Sequence, residues 1–128
     1  MITTELASRL RAAGIRWSPA PGDRFAIPGR DLDDQLFVIS DMVIESHEVP
    51  GGRIIRFNGT TEWALDSMPA ELALWLPRED QLRALLADRF VRLEVLGEGL
   101  VVVLSDGSHH VDTDAERAYA RAVLHVLG

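Results

Sequence analysis

Two hydrophobic periods alternate along the chain and divide it into helical and extended stretches. Over Thr3 to Ala13, Leu6, Leu10 and Ala13 form one stripe while Glu5 and Arg9 stand at i,i+4 on the other side, which predicts a helix. Thr3 or Thr4 offers its cap, and Gly14 follows where a left-handed stop belongs. Ser18-Pro19-Ala20-Pro21-Gly22 cannot continue a helix and predicts a surface turn. From Arg24 to about Leu65 the period drops to two, with strand-like runs at Arg24–Ile27, Leu36–Ile39 and Met42–Val49. Pro50-Gly51-Gly52 then reverses the chain into Arg53–Phe57. Asn58-Gly59 is the pair a type I′ turn favours, because both residues accept positive φ, and it predicts a hairpin joining Arg53–Phe57 to Thr60–Trp63. This half reads as an antiparallel meander.

Ser67 to Leu76 follows neither period. Pro77 opens a second helix, with Glu79 and Asp80 in its positive first turn, Leu82, Leu85 and Leu86 as its stripe, and Glu79 paired to Arg83. Val91 to Leu96 alternates, placing Val91, Leu93 and Val95 inward and Arg92 and Glu94 outward. Gly97-Glu98-Gly99 turns into the apolar Leu100–Leu104, and Asp106-Gly107 into Ser108–Val111. Thr113-Asp114-Ala115-Glu116 matches the capping box of a last helix. Ala115, Ala118, Tyr119, Ala122, Val123 and Val126 form its stripe. Ala120, Leu124 and Leu127 make a second apolar face, which predicts either burial on two sides or a homodimer contact.

No run alternates single strands with helices, so the expected class is α+β: mostly antiparallel sheet built from two meanders with three helices, the C-terminal half running α-β-β-β-α. A single domain over 1–128 is expected. Its sub-units would be 1–66 (a helix and a meander) and 75–128 (the α-β-β-β-α run), each marginal alone.

Composition narrows the function. The 128 residues are 47% hydrophobic and 26% charged, ordinary for a globular chain, and the formal net charge is −7. That balance opposes nucleic acid and anionic membranes as partners. No apolar run approaches spanning length and the N-terminus lacks a basic region followed by an apolar one, so a soluble cytoplasmic protein is expected. Cysteine is absent, which removes disulfides, thiolate catalysis and Cys-ligated metal sites. All thirteen basic residues are arginine, as the codon bias of a GC-rich genome produces.

Pro19-Ala20-Pro21-Gly22-Asp23-Arg24-Phe25, Phe57-Asn58-Gly59-Thr60-Thr61-Glu62-Trp63-Ala64-Leu65-Asp66 and Trp75-Leu76-Pro77-Arg78-Glu79-Asp80-Gln81-Leu82 resemble a family of short, uncharacterised actinobacterial proteins over nearly the whole chain. Some members carry a pilus-assembly (CpaE) label. Proteins of that kind resemble P-loop ATPases, whose Gly-x-x-x-x-Gly-Lys-Ser/Thr motif this lysine-free chain does not contain. Residues 75–127 resemble the α-β-β-β-α ABA-sandwich domain of small phage proteins, which implies a fold and no activity.

The same element order belongs to double-stranded-RNA-binding domains, which place lysines at the start of the last helix. Here Asp112, Asp114 and Glu116 occupy that end and would repel phosphates, with Arg117 and Arg121 the helix's only basic pair. Glu45 with His47 and His110 with Asp112 are i,i+2 pairs that would make a small metal-dependent enzyme if their strands were neighbours, whereas adjacent His109 and His110 face opposite sides. Asp31, Asp33 and Asp34 lack the glycine and glutamate of a calcium loop. No Gly-x-Ser-x-Gly elbow is present, and Ser46-His47-Glu48 and Ser105 with His109 are sequence neighbours rather than a triad assembled from distant segments. Trp17, Trp63 and Trp75 read as core anchors or as the lining of a groove. The expected function is therefore a non-catalytic protein-interaction module with no cofactor or metal, binding an unidentified protein near the Asn58-Gly59 turn through Arg53, Arg56, Glu62 and Trp63. Self-assembly through Ala120, Leu124 and Leu127 is the first alternative.

Overall fold

The computed structural model describes residues 1–28, 36–39, 43–49, 52–58, 67–69 and 72–128, with side chains over 1–28, 36–39 and 72–128. The class is α+β: the described residues form three helices and three antiparallel sheets of three strands. The chain makes two compact units, Met1–Ile15 with Pro77–Gly128, and Arg16–Leu76.

In the first unit, helix α1 (Thr4–Ala12) starts where the Thr3 hydroxyl accepts the Leu6 N–H at 3.1 Å. It ends in a paired C-terminal lock. The Gly14 N–H donates to Arg11 O, the Ile15 N–H donates to Leu10 O, and Gly14 takes the φ of +107° that such a lock requires. Helix α2 (Glu79–Leu86) buries Leu82 and Leu86 but leaves Leu85 exposed, so its stripe is narrower than the sequence predicts. Arg83 is not ion-paired to Glu79; its guanidinium lies 4.4 Å from the centre of the Phe90 ring. The following 3₁₀ turn, Ala87–Arg89, begins with Ala87 at φ 53°, ψ −127°, a conformation that a Cβ disfavours. Ala87 is exposed, so Ala87→Gly is expected to stabilise this unit by about 1 kcal/mol, the strain relieved outweighing the added freedom of the unfolded chain. Thermal unfolding checks it, and an unchanged or lowered midpoint would refute the strain.

Strands β7 (Phe90–Leu96), β8 (Gly99–Leu104) and β9 (His109–Asp112) pair in that order. The register slips between Phe90, opposite Leu104, and Arg92, opposite Val103, so Val91 is the extra residue of a bulge. Val91 therefore faces solvent rather than the core. Val95, near the strand end, is also exposed, and of the three positions expected inside only Leu93 is half-buried. Helix α3 (Ala115–Leu127) is capped by the Asp114 carboxylate, which accepts the Arg117 N–H at 3.1 Å, and not by Thr113. Glu116 does not close a capping box but accepts the Ile2 N–H at 2.9 Å. Ala118, Tyr119, Ala120, Ala122 and Val123 are all buried, because α1, α2, β8 and β9 pack around the helix. Of the second apolar face, burial on two sides accounts for Ala120. Ala120 has no exposed surface for a homodimer contact, Leu124 is half-buried, and only Leu127 of that set is exposed.

The second unit holds two of the sheets, so its strands do not form the one continuous meander that the sequence predicts. Strand β1 (Arg24–Ala26) lies between β2 (Phe37–Val38) and β6 (Leu74–Trp75). Phe25 pairs with Phe37 on one side and Trp75 on the other, and its ring lies 5.6 Å from that of Trp17 and 5.3 Å from that of Phe37. Trp17, Phe25, Ile27, Ile39 and Ala73 form the core, with Phe37, Leu72 and Trp75 packed against it. The buried Asp23 carboxylate accepts the Trp17 Nε1–H at 2.9 Å and the Ala20 N–H at 3.1 Å, which draws the Pro19–Gly22 turn closed. Trp17 is therefore a core residue.

Strand β3 (Val43–Val49) pairs with β4 (Gly52–Asn58) from Val43 opposite Asn58 to Val49 opposite Gly52, as the Pro50-Gly51-Gly52 reversal predicts. The other edge of β4 pairs with β5 (Ser67–Pro69), with Arg56 opposite Ser67 and Ile54 opposite Pro69. Both edges of Ile54–Arg56 are thereby occupied, by β3 and β5. Gly59 and Thr60–Trp63 lie outside the described residues. Pro69, which cannot donate to a ladder, is tolerated because β5 ends the sheet.

Candidate functional site

Of the residues the sequence nominates for partner binding, Arg53 and Arg56 lie on β4, in register with Glu48 and Glu45 of β3. Glu62 and Trp63 lie outside the described residues, as do Asp31, Asp33 and Asp34. The two halves of the nominated metal site do not share a sheet: Glu45 and His47 are on β3, His110 and Asp112 on β9. Asp112 has another employment.

Asp112 is the hub of the α3–β9 contact. Its carboxylate meets Arg117 Nε at 2.9 Å and Arg121 Nε at 3.0 Å, and it accepts the N–H groups of Thr113 at 2.7 Å and Asp114 at 3.3 Å. Arg117 makes an ion pair without hydrogen-bond alignment at Nε, and its Nη2 donates to the Thr113 hydroxyl at 2.8 Å. Burial pushes the Asp112 pKa up, but the Arg121 hydrogen bond, the two amides and the Arg117 charge outweigh it and hold it below the ordinary value. The one basic pair of the last helix thus consists of structural partners of one aspartate.

A second cluster fastens the far end of α3. His125 Nε2 lies 2.7 Å from Asp106 Oδ2, and the Asp106 carboxylate also accepts the Ser108 N–H at 2.8 Å. His110 Nε2 and Ser108 Oγ share a hydrogen bond of 2.9 Å, and the rings of His110 and His125 lie 4.8 Å apart. Hydrogen bonds from Ser108 and His125 hold the Asp106 carboxyl well below the usual carboxylate range. Burial, followed by the nearby His125, holds His110 below the ordinary imidazole value. The residue types are those of a Ser-His-Asp triad, but the wiring is not. The aspartate orients His125, whereas the histidine that touches the serine is His110, so the base has no carboxylate orienter. The cluster is a bracket between helix and turn.

Two surfaces flank these clusters. On the helical side, Arg9 of α1 and Arg121, Leu124 and His125 of α3 line an open groove of about 310 Å³. On the sheet, Leu96 and Val111 are exposed by 70% and 55% on one face, while Val95, the strand neighbour of Leu96, is exposed on the other. Leu96 stands opposite Gly99, and Val111 Cγ1 lies 3.3 Å from where a Cβ on Gly99 would sit. The bare glycine therefore joins Leu96 and Val111 into one flat apolar corner at the β7–β8 turn.

Comparison with protein-family models, curated proteins and solved structures finds no match for the chain. Sequence reasoning picks out His110 and Asp112 but misses their partners. His125 is the last of three polar positions, Arg117, Arg121 and His125, spaced by four along α3, a spacing that marks the helix edge facing the sheet.

Proposed function

We propose that the chain is a non-catalytic protein-interaction module that docks its partner on the apolar corner formed by Leu96 and Val111. The observation that carries this reading is the exposure of those two side chains on one face, at one end of a sheet whose central strand is buried from Val101 to Leu104. A contiguous apolar patch beside a well-packed core marks a docking surface. The occupant is a protein with an apolar anchor and a basic rim. Glu98 sits in the turn beside Leu96, and a chain with a net charge of −7 repels a second copy of itself while drawing in a cationic partner. Light scattering over a hundredfold range of concentration is expected to give 14.2 kDa throughout. A mass that rises toward twice that value, and returns on Leu96→Asp, would assign the corner to a second copy and overturn the reading.

A further inference from the structure

We propose that the groove between α1 and α3 is a separate binding site for an aliphatic carboxylate, held between the guanidinium groups of Arg9 and Arg121 with its hydrocarbon part against Leu124. This site is independent of the apolar corner. Its lining is unusual for the chain: in a protein with 20 acidic and 13 basic residues, the four lining side chains include two arginines and a histidine and no acid. The Arg9 guanidinium has no ion-pair partner among the described residues. Arg121 meets Asp112 through Nε alone, which leaves the rest of its planar fork without a described partner. A fork of this kind matches a carboxylate in two parallel hydrogen bonds. Asp112 serves as the positioning residue, since it fixes the Arg121 side chain from behind and is itself held by Arg117 and two backbone N–H groups. The half-buried Leu124 supplies the one apolar wall, which selects an anion carried on a hydrocarbon over a bare oxyanion. The volume of about 310 Å³ is at the small end of ligand clefts, the size for one side chain, a peptide terminus or a short-chain acid.

His125 completes the lining: it faces Asp106 and Ser108 of the β8–β9 turn and His110 of β9, stands one helical turn from Arg121, and shares the groove with Arg9 of α1.

The test is a titration of the full chain, with the arginine Nε–H resonances followed by NMR, using 4-methylvalerate, its neutral isostere 4-methylvaleramide, inorganic phosphate and the capped dipeptide N-acetyl-Leu-Glu-amide. The expected result is a saturable shift at Arg9 and Arg121 with 4-methylvalerate, with half-saturation on the order of millimolar, and none with the amide. A response to the dipeptide equal to or stronger than that to 4-methylvalerate identifies the natural source as a protein side chain, and a weaker one a free acid; either supports the site. Arg9→Gln, an exposed change that leaves the fold intact, is expected to weaken binding about fivefold. No saturable shift, an equal response to the amide, or tighter binding of phosphate would each overturn the proposal. None of these outcomes touches the apolar corner, whose own test is separate.

Discussion

Tyr119→Ala is expected to lower the stability of the unit built from Met1–Ile15 and Pro77–Gly128 by about 3 to 5 kcal/mol, the usual cost of emptying a buried aromatic site. Tyr119 is 2% exposed, and its ring centre lies 5.6 Å from that of Phe90, which also carries the Arg83 guanidinium. Removing the ring takes away the contact that ties α3 to the start of β7 and leaves Phe90 without its neighbour. In a domain of this size the melting midpoint is expected to fall by roughly 10 °C or more. Tyr119→Phe keeps the ring and is expected to cost under about 1 kcal/mol. Urea denaturation of both variants decides the matter: an alanine variant within about 1 kcal/mol of the wild type would contradict the packing described. Burial, followed by the charge of Glu79, holds the phenol above its ordinary pKa, so the wild type gains no charge at this position near neutrality.

Asp112→Asn carries the second large effect and a pH signature with it. The side chain of Asp112 is 11% exposed, and the substitution strips the counter-charge from Arg117 and Arg121 while leaving the Thr113 and Asp114 amides an oxygen to donate to. The expected cost at pH 7 is about 2 to 3 kcal/mol, in the range of hydrogen bonds to charged groups. The Asp112 pKa is lower in the folded chain than in the unfolded one, so the contribution is complete above the unfolded value of 3.8. It is lost as the pH falls through the lower, folded value. Wild type and variant are therefore expected to differ at pH 7 and to converge below pH 3.8. A constant difference from pH 7 to pH 2 would show that the loss is one of shape rather than charge.

The parts of the fold that depend on local chemistry are legible in the sequence. Gly14 behind Ala13 closes α1, Pro77 precedes α2, and the apolar stripe of α3 is buried along Ala118, Tyr119, Ala122 and Val123. The misreadings arise where a distant partner wins over a local preference. The strands of 24–75 divide into two sheets, because β1 takes β6, far off in sequence, as its second neighbour. Thr113 and Glu116 have the spacing of a capping box, but Asp114 caps the helix and Glu116 reaches Ile2, far off in sequence. The alternation of β7 is broken by one extra residue at Val91, which turns Phe90 and Arg92 to opposite faces. A bulge leaves no mark in the pattern of residue types, and so the exposed corner around Leu96 and Val111 is invisible until the register is known. The same holds for the groove, since nothing in the spacing of Arg9 and Arg121 shows that α1 and α3 are neighbours.

The central claim is that the corner at the β7–β8 turn docks a protein. The measurement that tests it most directly is affinity capture from an extract of the source organism, with the wild-type chain beside the double variant Leu96→Asp, Val111→Asp. Both positions are exposed, so the variant is expected to keep its melting midpoint within a few degrees, as surface substitutions do. The account predicts a basic protein that the wild type retains, that binds it again when both are purified, and that the double variant releases. An equally stable variant that retains the same proteins as the wild type would contradict it.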